Sequence, residues 1–417
     1  MTSAPPLVPL PVLFGNAEYA MPQISPDGTQ IAFLTAASNG VMNIFLQPVG
    51  AKSAEPVQVT TEDNRPIRFF RWAVTGTHLL YVQDMNGNER FHLYVVDLTT
   101  MTTVNRTPFE SAKVLTTFPM TSWYNYINRL TSVRCPNEVV IGLNTRIPTL
   151  FDVHRVNILT GETTLVATNP GKVDAWIVDS NLIVRAMVQM EPGDVWSKSL
   201  SVRATDSDPW KVIATWGLDD SVEPLNLTSD GSGLYVKSTL AHGSGHACPN
   251  KTLRLVLLST VDGSELSSVA YDPKSDVDHV EFNPISGEVD FATFEHYGHR
   301  KQILSAAVQA DIDVLASLRD GTTVVSIESR AANDDKAWTV AIASDHHSKE
   351  YYYYDRTTKE ATLLALERPA LKDFSFSPMK PVEIPCRDGE TMVGYLTLPR
   401  GAPATTGSEC PRWPMVA

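Results

Sequence analysis

Three stretches of this chain combine residue types that bind metals or move protons. His242-Gly243-Ser244-Gly245-His246, with Cys248 just beyond, sets two imidazoles and a thiol among glycines. The mix suits an oxyanion-type loop or a ligand set, but no strand runs into it to expose a nucleophile, and a flexible glycine loop is the simpler account. Asp345-His346-His347 falls where a hairpin turn is expected, and adjacent histidines on a turn are ordinarily solvated. Asp84-Met85-Asn86-Gly87-Asn88-Glu89 places oxygen donors around a glycine, as a calcium loop does. It is too short for an EF-hand, and Asn-Gly is also the strongest two-residue hairpin signal. A structural hairpin, a substrate- or domain-facing role for Asp84, Glu89 and Arg90, and a calcium loop are therefore the readings to weigh, with the plain hairpin foremost. No catalytic residue, metal or cofactor is assigned.

The elements that must carry these residues are strands. Short Val/Ile/Tyr/Phe runs bounded by Gly, Asp, Asn, Ser and Pro dominate, and no long stretch shows helical apolar spacing. One set of runs covers residues 30–35, 78–83, 138–144, 182–188, 233–238, 288–294 and 336–343. Each is followed by a second, at 43–47, 92–97, 152–157, 198–202, 252–258, 301–306 and 351–355. A short strand and turn, such as Ser25-Pro26-Asp27-Gly28, precedes most first runs, and a turn and further strand follow most second ones. Four antiparallel strands thus recur about every 45–60 residues, the pattern of propeller blades. A four-stranded sheet has two apolar faces to bury, so each blade needs a neighbour on both sides. The expected fold is all-β, a seven-bladed propeller over 21–370 after an N-terminal extension at 1–20. The four tyrosines at 351–354 and the tryptophans Trp72, Trp176, Trp196, Trp210, Trp216 and Trp338 read as packing within and between blades.

Composition narrows the function classes. Of 417 residues, 34 are Lys or Arg and 47 Asp or Glu, a formal net charge of −13, with no basic run to neutralise a phosphate backbone. Nucleic acid is not an expected partner. The 4 cysteines, Cys135, Cys248, Cys386 and Cys410, show no CxxC spacing and read as reduced thiols. Four prolines interrupt the apolar stretch at 1–14, which has no basic leader, so neither signal peptide nor membrane span is expected. Sequons at Asn105, Asn226 and Asn250 are then chance matches, and the default compartment is the cytoplasm.

Residues 67–98, IRFFRWAVTGTHLLYVQDMNGNERFHLYVVDL, resemble the second blade of the prolyl oligopeptidase family of serine peptidases, in its acylaminoacyl-peptidase and dipeptidyl-aminopeptidase-like branch. Gln83, Asp84, Gly87, Glu89, His92, Leu93 and Tyr94 carry the match, while Arg90 and Phe91 depart from it. The resemblance continues through 139–166, 271–287 and 378–401, the last similar to the hairpin by which such enzymes enter a C-terminal α/β-hydrolase domain.

That resemblance implies the substrate-gating propeller portion of a peptidase that cleaves short peptides or acyl-peptides. Its catalytic half would need a GxSxG nucleophile elbow, and these 417 residues contain none. Residues 371–417 are expected to be a linker and the start of a truncated hydrolase domain, packing poorly by itself, and the chain alone to be inactive. The implied partners are a peptide substrate and a C-terminal hydrolase domain, with homo-oligomerisation left open and no membrane. The alternative is a free-standing propeller that binds a protein partner, which would have no use for a hydrolase entry hairpin.

Overall fold

A computed structural model describes residues 7–51, 54–115, 126–128, 130–191, 197–242, 252–319 and 323–398. Seven sheets follow one another around the ring, six of them antiparallel and each from one chain segment, while blade 4 also takes a short parallel strand from the chain ahead of the long strands of blade 3; a separate two-stranded hairpin comes last. Blade 1 opens with Ala20–Ile24 and blade 7 closes with Glu360–Leu366. All seven first runs are second strands of blades, from Gln30–Ala36 to Ala337–Ser344.

The pleat explains why the sheets stack. Successive side chains of a strand point to opposite faces, and here both faces are core. In His78–Gln83, Leu79 and Tyr81 pack toward blade 1 while Leu80 packs toward blade 3. In blade 3, Val139 and Ile141 turn back to blade 2 and Val140 forward to blade 4. The tyrosine run behaves in the same way. Tyr351 faces blade 1, and Tyr352 and Tyr354 face blade 6.

The ring closes by packing, with no strand shared between first and last blades. Tyr19 stacks on Phe33 with ring centroids 4.1 Å apart and lies 5.8 Å from Tyr351 of blade 7. At the inner edge, Ile24 N donates to Ser329 Oγ at 2.7 Å, and Thr339 Oγ1 donates to the Pro22 carbonyl at 2.7 Å. Leu10–Phe14 is a short helix and forms no strand of the last blade.

Three local departures refine the regular blade. Blade 4 gains a fifth strand, Tyr126–Ile127, lying parallel to Val173–Val178. In blade 3 the inner position is split, because both Val114–Leu115 and Thr131–Ser132 pair with Cys135–Ile147. Blade 6 has three strands, ending at His299–Ile303, and then a helix, Ala306–Ala316, where sequence spacing gave only strand. The helix points Val308, Ile312 and Leu315 into the core between blades 6 and 7.

Candidate functional site

Two places on the propeller present chemistry: the face that carries the connections between second and third strands, and the inner strands around the axis. Blade orientation repeats around the ring, so the second-to-third connections of different blades emerge on one face. The hairpin Met379–Pro385 with Thr391–Thr397 sits on that face. The Tyr297 hydroxyl, at the tip after the second strand of blade 6, donates to Glu383, and Met379 N donates to Asp345 at the corresponding tip of blade 7. Asp345 also accepts from His346 Nδ1 at 2.5 Å; burial alone would raise its pKa, but these bonds hold it below the usual carboxylate range. Most residues of the hairpin are exposed, including Met392 at 53%.

The Asp84–Arg90 connection of blade 2 belongs to the same face. Asn86 and Gly87 have φ of 55° and 80°, and Asn88 N bonds the Met85 carbonyl at 3.2 Å, the turn expected for Asn-Gly. Asp84 does not face outward as a substrate contact would. Its side chain is 0% exposed, with Oδ1 accepting from Arg65 Nε at 3.1 Å and Oδ2 from Glu89 N at 3.0 Å. Both oxygens are committed to holding the hairpin on the blade 1 to blade 2 link, which is a different job from wrapping a cation. Glu89 and Arg90 are exposed, and Arg90 reaches the Glu110 carbonyl at 3.0 Å.

The first strand of each blade pairs outward and turns its other edge to the axis, except in blade 4, where Tyr126–Ile127 takes that place. Cross-blade bonds follow this inner circle: Gln23 Nε2 to the Phe70 carbonyl at 2.7 Å, and Trp72 Nε1 to the Gln23 carbonyl at 3.1 Å. Between Phe70 and Trp72, both buried, Arg71 is open to solvent. Yet burial pulls its pKa down, against the charges of Glu281 in blade 6 and Glu328 in blade 7. Water reaches this side chain although protein surrounds it, and the two carboxylates whose charges act on it, Glu281 and Glu328, lie on the first strands of blades 6 and 7. Burial raises the pKa of Glu328, with Arg71 and Lys349 opposing. Sequence reasoning missed this group; the signal available was a charge flanked by Phe70 and Trp72 in a first strand.

The other candidates resolve locally. His242 Nε2 meets the buried Ser238 Oγ at 2.7 Å beside a hollow of about 380 Å³ that also touches Ile213 and Gly263. Burial and the Arg254 charge lower its pKa to about 4, so the ring is neutral. Residues 243–246, Cys248, Asn250, Trp196, Cys410 and 413–417 lie outside the described residues. Cys135 and Cys386 are free thiols. Among the described residues no group of three or more His, Cys, Asp or Glu is placed to hold a metal, and no helix is long and apolar enough to cross a membrane.

No protein-family model matches the chain. It is 31% identical over 403 residues to dipeptidyl aminopeptidase BIII of Pseudoxanthomonas mexicana, covering 95% of the chain and 54% of that protein. It is 24% identical over 417 residues to dipeptidyl peptidase family member 6 of Caenorhabditis elegans, covering 99% of the chain and again 54% of the relative. The chain therefore spans about half the length of the curated relatives it matches. A solved structure from a study of two prolyl endopeptidases superposes with a TM-score of 0.54 at 12% identity, over 92% of this chain and 54% of that one. The chain is similar over nearly its whole length to peptidases of the prolyl oligopeptidase family, and it matches their propeller part.

Proposed function

We propose that this propeller is the substrate-selecting part of a serine peptidase acting on short peptides or acyl-peptides, with the catalytic serine supplied by an α/β-hydrolase domain. The observation that carries the reading is the position of the Met379–Pro385 hairpin, anchored through Tyr297 and Asp345 on the face that also bears Glu89 and Arg90. A domain continuing from that hairpin would cover this face, and the axial channel with Arg71, Glu281 and Glu328 would open beneath it. Selection is then steric and electrostatic, because a narrow charged channel admits a short extended chain and excludes a folded one.

None of the described Ser residues sits at a strained strand-to-helix elbow beside a base and paired oxyanion donors, which together supply most of the acceleration in this chemistry. The 417-residue chain is therefore expected to leave dipeptidyl and acyl-aminoacyl chromogenic substrates intact and to resist fluorophosphonate. Stoichiometric labelling of a serine in it would refute the division of labour.

A further inference from the structure

Blade 6 has no fourth strand among the described residues, which leaves His299–Ile303 as its outer edge, and beside the turn that presents Tyr297 to the tail hairpin this strand and Val289–Glu295 carry a hydrogen-bonded series of titratable groups. His299 Nδ1 lies 2.5 Å from Glu295 Oε1, and Lys301 Nζ lies 2.9 Å from His299 Nε2. The two contacts fix the tautomer. An ammonium can only donate, so Nε2 is the acceptor and Nδ1 carries the hydrogen given to Glu295. Lys301 also lies 5.7 Å from the centre of the Phe291 ring, on the side of the sheet that packs against Ala306–Ala316. Carboxylate, imidazole and amine thus stand in series, with Lys301 partly exposed and the His299 side chain 18% exposed.

We propose that Lys301 is a preferential acylation site, its amine activated by the Glu295–His299 pair toward small activated acyl donors, namely acyl phosphates and thioesters. In the step, the Nζ lone pair forms a C–N bond to the donor carbonyl carbon. One ammonium proton first passes to His299 Nε2, which frees that lone pair, and as the bond from carbon to phosphate oxygen or to sulfur breaks the second N–H proton goes to the leaving group, releasing hydrogen phosphate or thiol. Glu295 stabilises the imidazolium until it loses the proton to water. The product is a neutral amide, which removes one positive charge at the edge of blade 6 and the cation facing Phe291. Burial supports the same chemistry by lowering the Lys301 pKa to about 8, against the pull of Glu295, the only charged group found to act on it.

The test treats the folded chain at pH 7.5 with limiting acetyl phosphate or, separately, an acetyl thioester, and follows each lysine by peptide mass spectrometry. Lys301 should react on the order of tenfold faster than Lys336, whose side chain is 67% exposed. Its rate should level off above about pH 8. His299→Asn should cut the Lys301 rate severalfold and leave Lys336 unchanged, the latter serving with circular dichroism as the check on folding. Labelling by one donor alone identifies the source of the acyl group. Equal rates at the two lysines, or a Lys301 rate indifferent to His299→Asn in a folded variant, would overturn the proposal.

Discussion

Asp84 shows how a residue's place can be legible in local spacing while its bonding partner is not. The Gln-Asp-x-x-Gly-x-Glu spacing located the hairpin of blade 2, and Asn-Gly fixed its turn, because both signals are local. Whether the carboxylate points outward depends on Arg65, nineteen positions earlier, and nothing in local spacing announces that partner. Since Asp84 accepts from both Arg65 and Glu89 N while fully buried, Asp84→Ala should cost about 1–3 kcal/mol of stability, the penalty for buried donors left unmatched. Glu89→Ala, at an exposed position, should fall within about 0.5 kcal/mol. Chemical denaturation of both variants checks the contrast; equal losses would mean that Asp84 does not hold the hairpin. His242 offers a second residue-scale expectation. Its folded pKa of about 4 lies below the ordinary histidine value, so burial favours the neutral ring. The stability contributed is present above the unfolded pKa, about 6.5, and is lost as pH falls toward 4. His242→Gln should therefore flatten the fall in melting temperature over that window, and a parallel fall in both proteins would contradict it.

At the scale of elements, the strands were legible because each blade writes the same two runs, and the helix Ala306–Ala316 was not. Its apolar positions Val308, Ile312 and Leu315 follow helical spacing for under three turns, and the adjoining strand His299–Ile303 makes the stretch look like one more β segment. What commits it to a helix is tertiary. Asp311, fully buried, accepts from Tyr354 Oη at 2.9 Å and Arg356 Nε at 2.8 Å and pairs with Lys359, all from blade 7. The carboxylate therefore ties the helix to the blade that follows, in place of the lateral pairing a fourth strand would give. Arg356 continues the network to Asp335, which also accepts from Trp338 Nε1 at 2.7 Å. Asp311→Ala leaves the Tyr354 hydroxyl and the half-buried Arg356 Nε without their acceptor and should cost about 1–3 kcal/mol. Asp313→Ala, on the same helix but outside that network, should cost far less, and similar losses from the two would show that the helix is held by its apolar face alone.

For the whole molecule, periodicity gave the number of blades and their order, but it could not say how firmly each junction holds. The junction of blades 4 and 5 is one continuous core that includes Ile177, Val188, Leu200, Leu234, Val236 and Leu258. The closing junction of blades 7 and 1 is divided into two small groups, one of Tyr19, Phe33, Ala341 and Tyr351, the other of Ile24, Ile31, Ala331 and Ala337. Apolar area sets most of the free energy at each interface, and in stacked repeats stability is close to a sum of nearest-neighbour terms. A ring assembled from such terms opens first at its thinnest interface, and the closing one also lacks a shared strand to lock it. Under sub-denaturing conditions, amide exchange in Ala20–Ile24 and Val324–Arg330 should become fast before that in Val222–Leu227 or Gly233–Ser238. Exchange in the exposed strand Thr391–Thr397 should be faster still, because two tethers at its partner strand cannot hold a lone hairpin together. Tyr351→Ala, which empties the centre of one closing group, should cost about 3–5 kcal/mol and bring the opening of blades 1 and 7 forward while leaving blades 4 and 5 at their original midpoint. A variant that shifts all seven blades together would mean that the ring unfolds as one cooperative unit, with no weak joint at its closure.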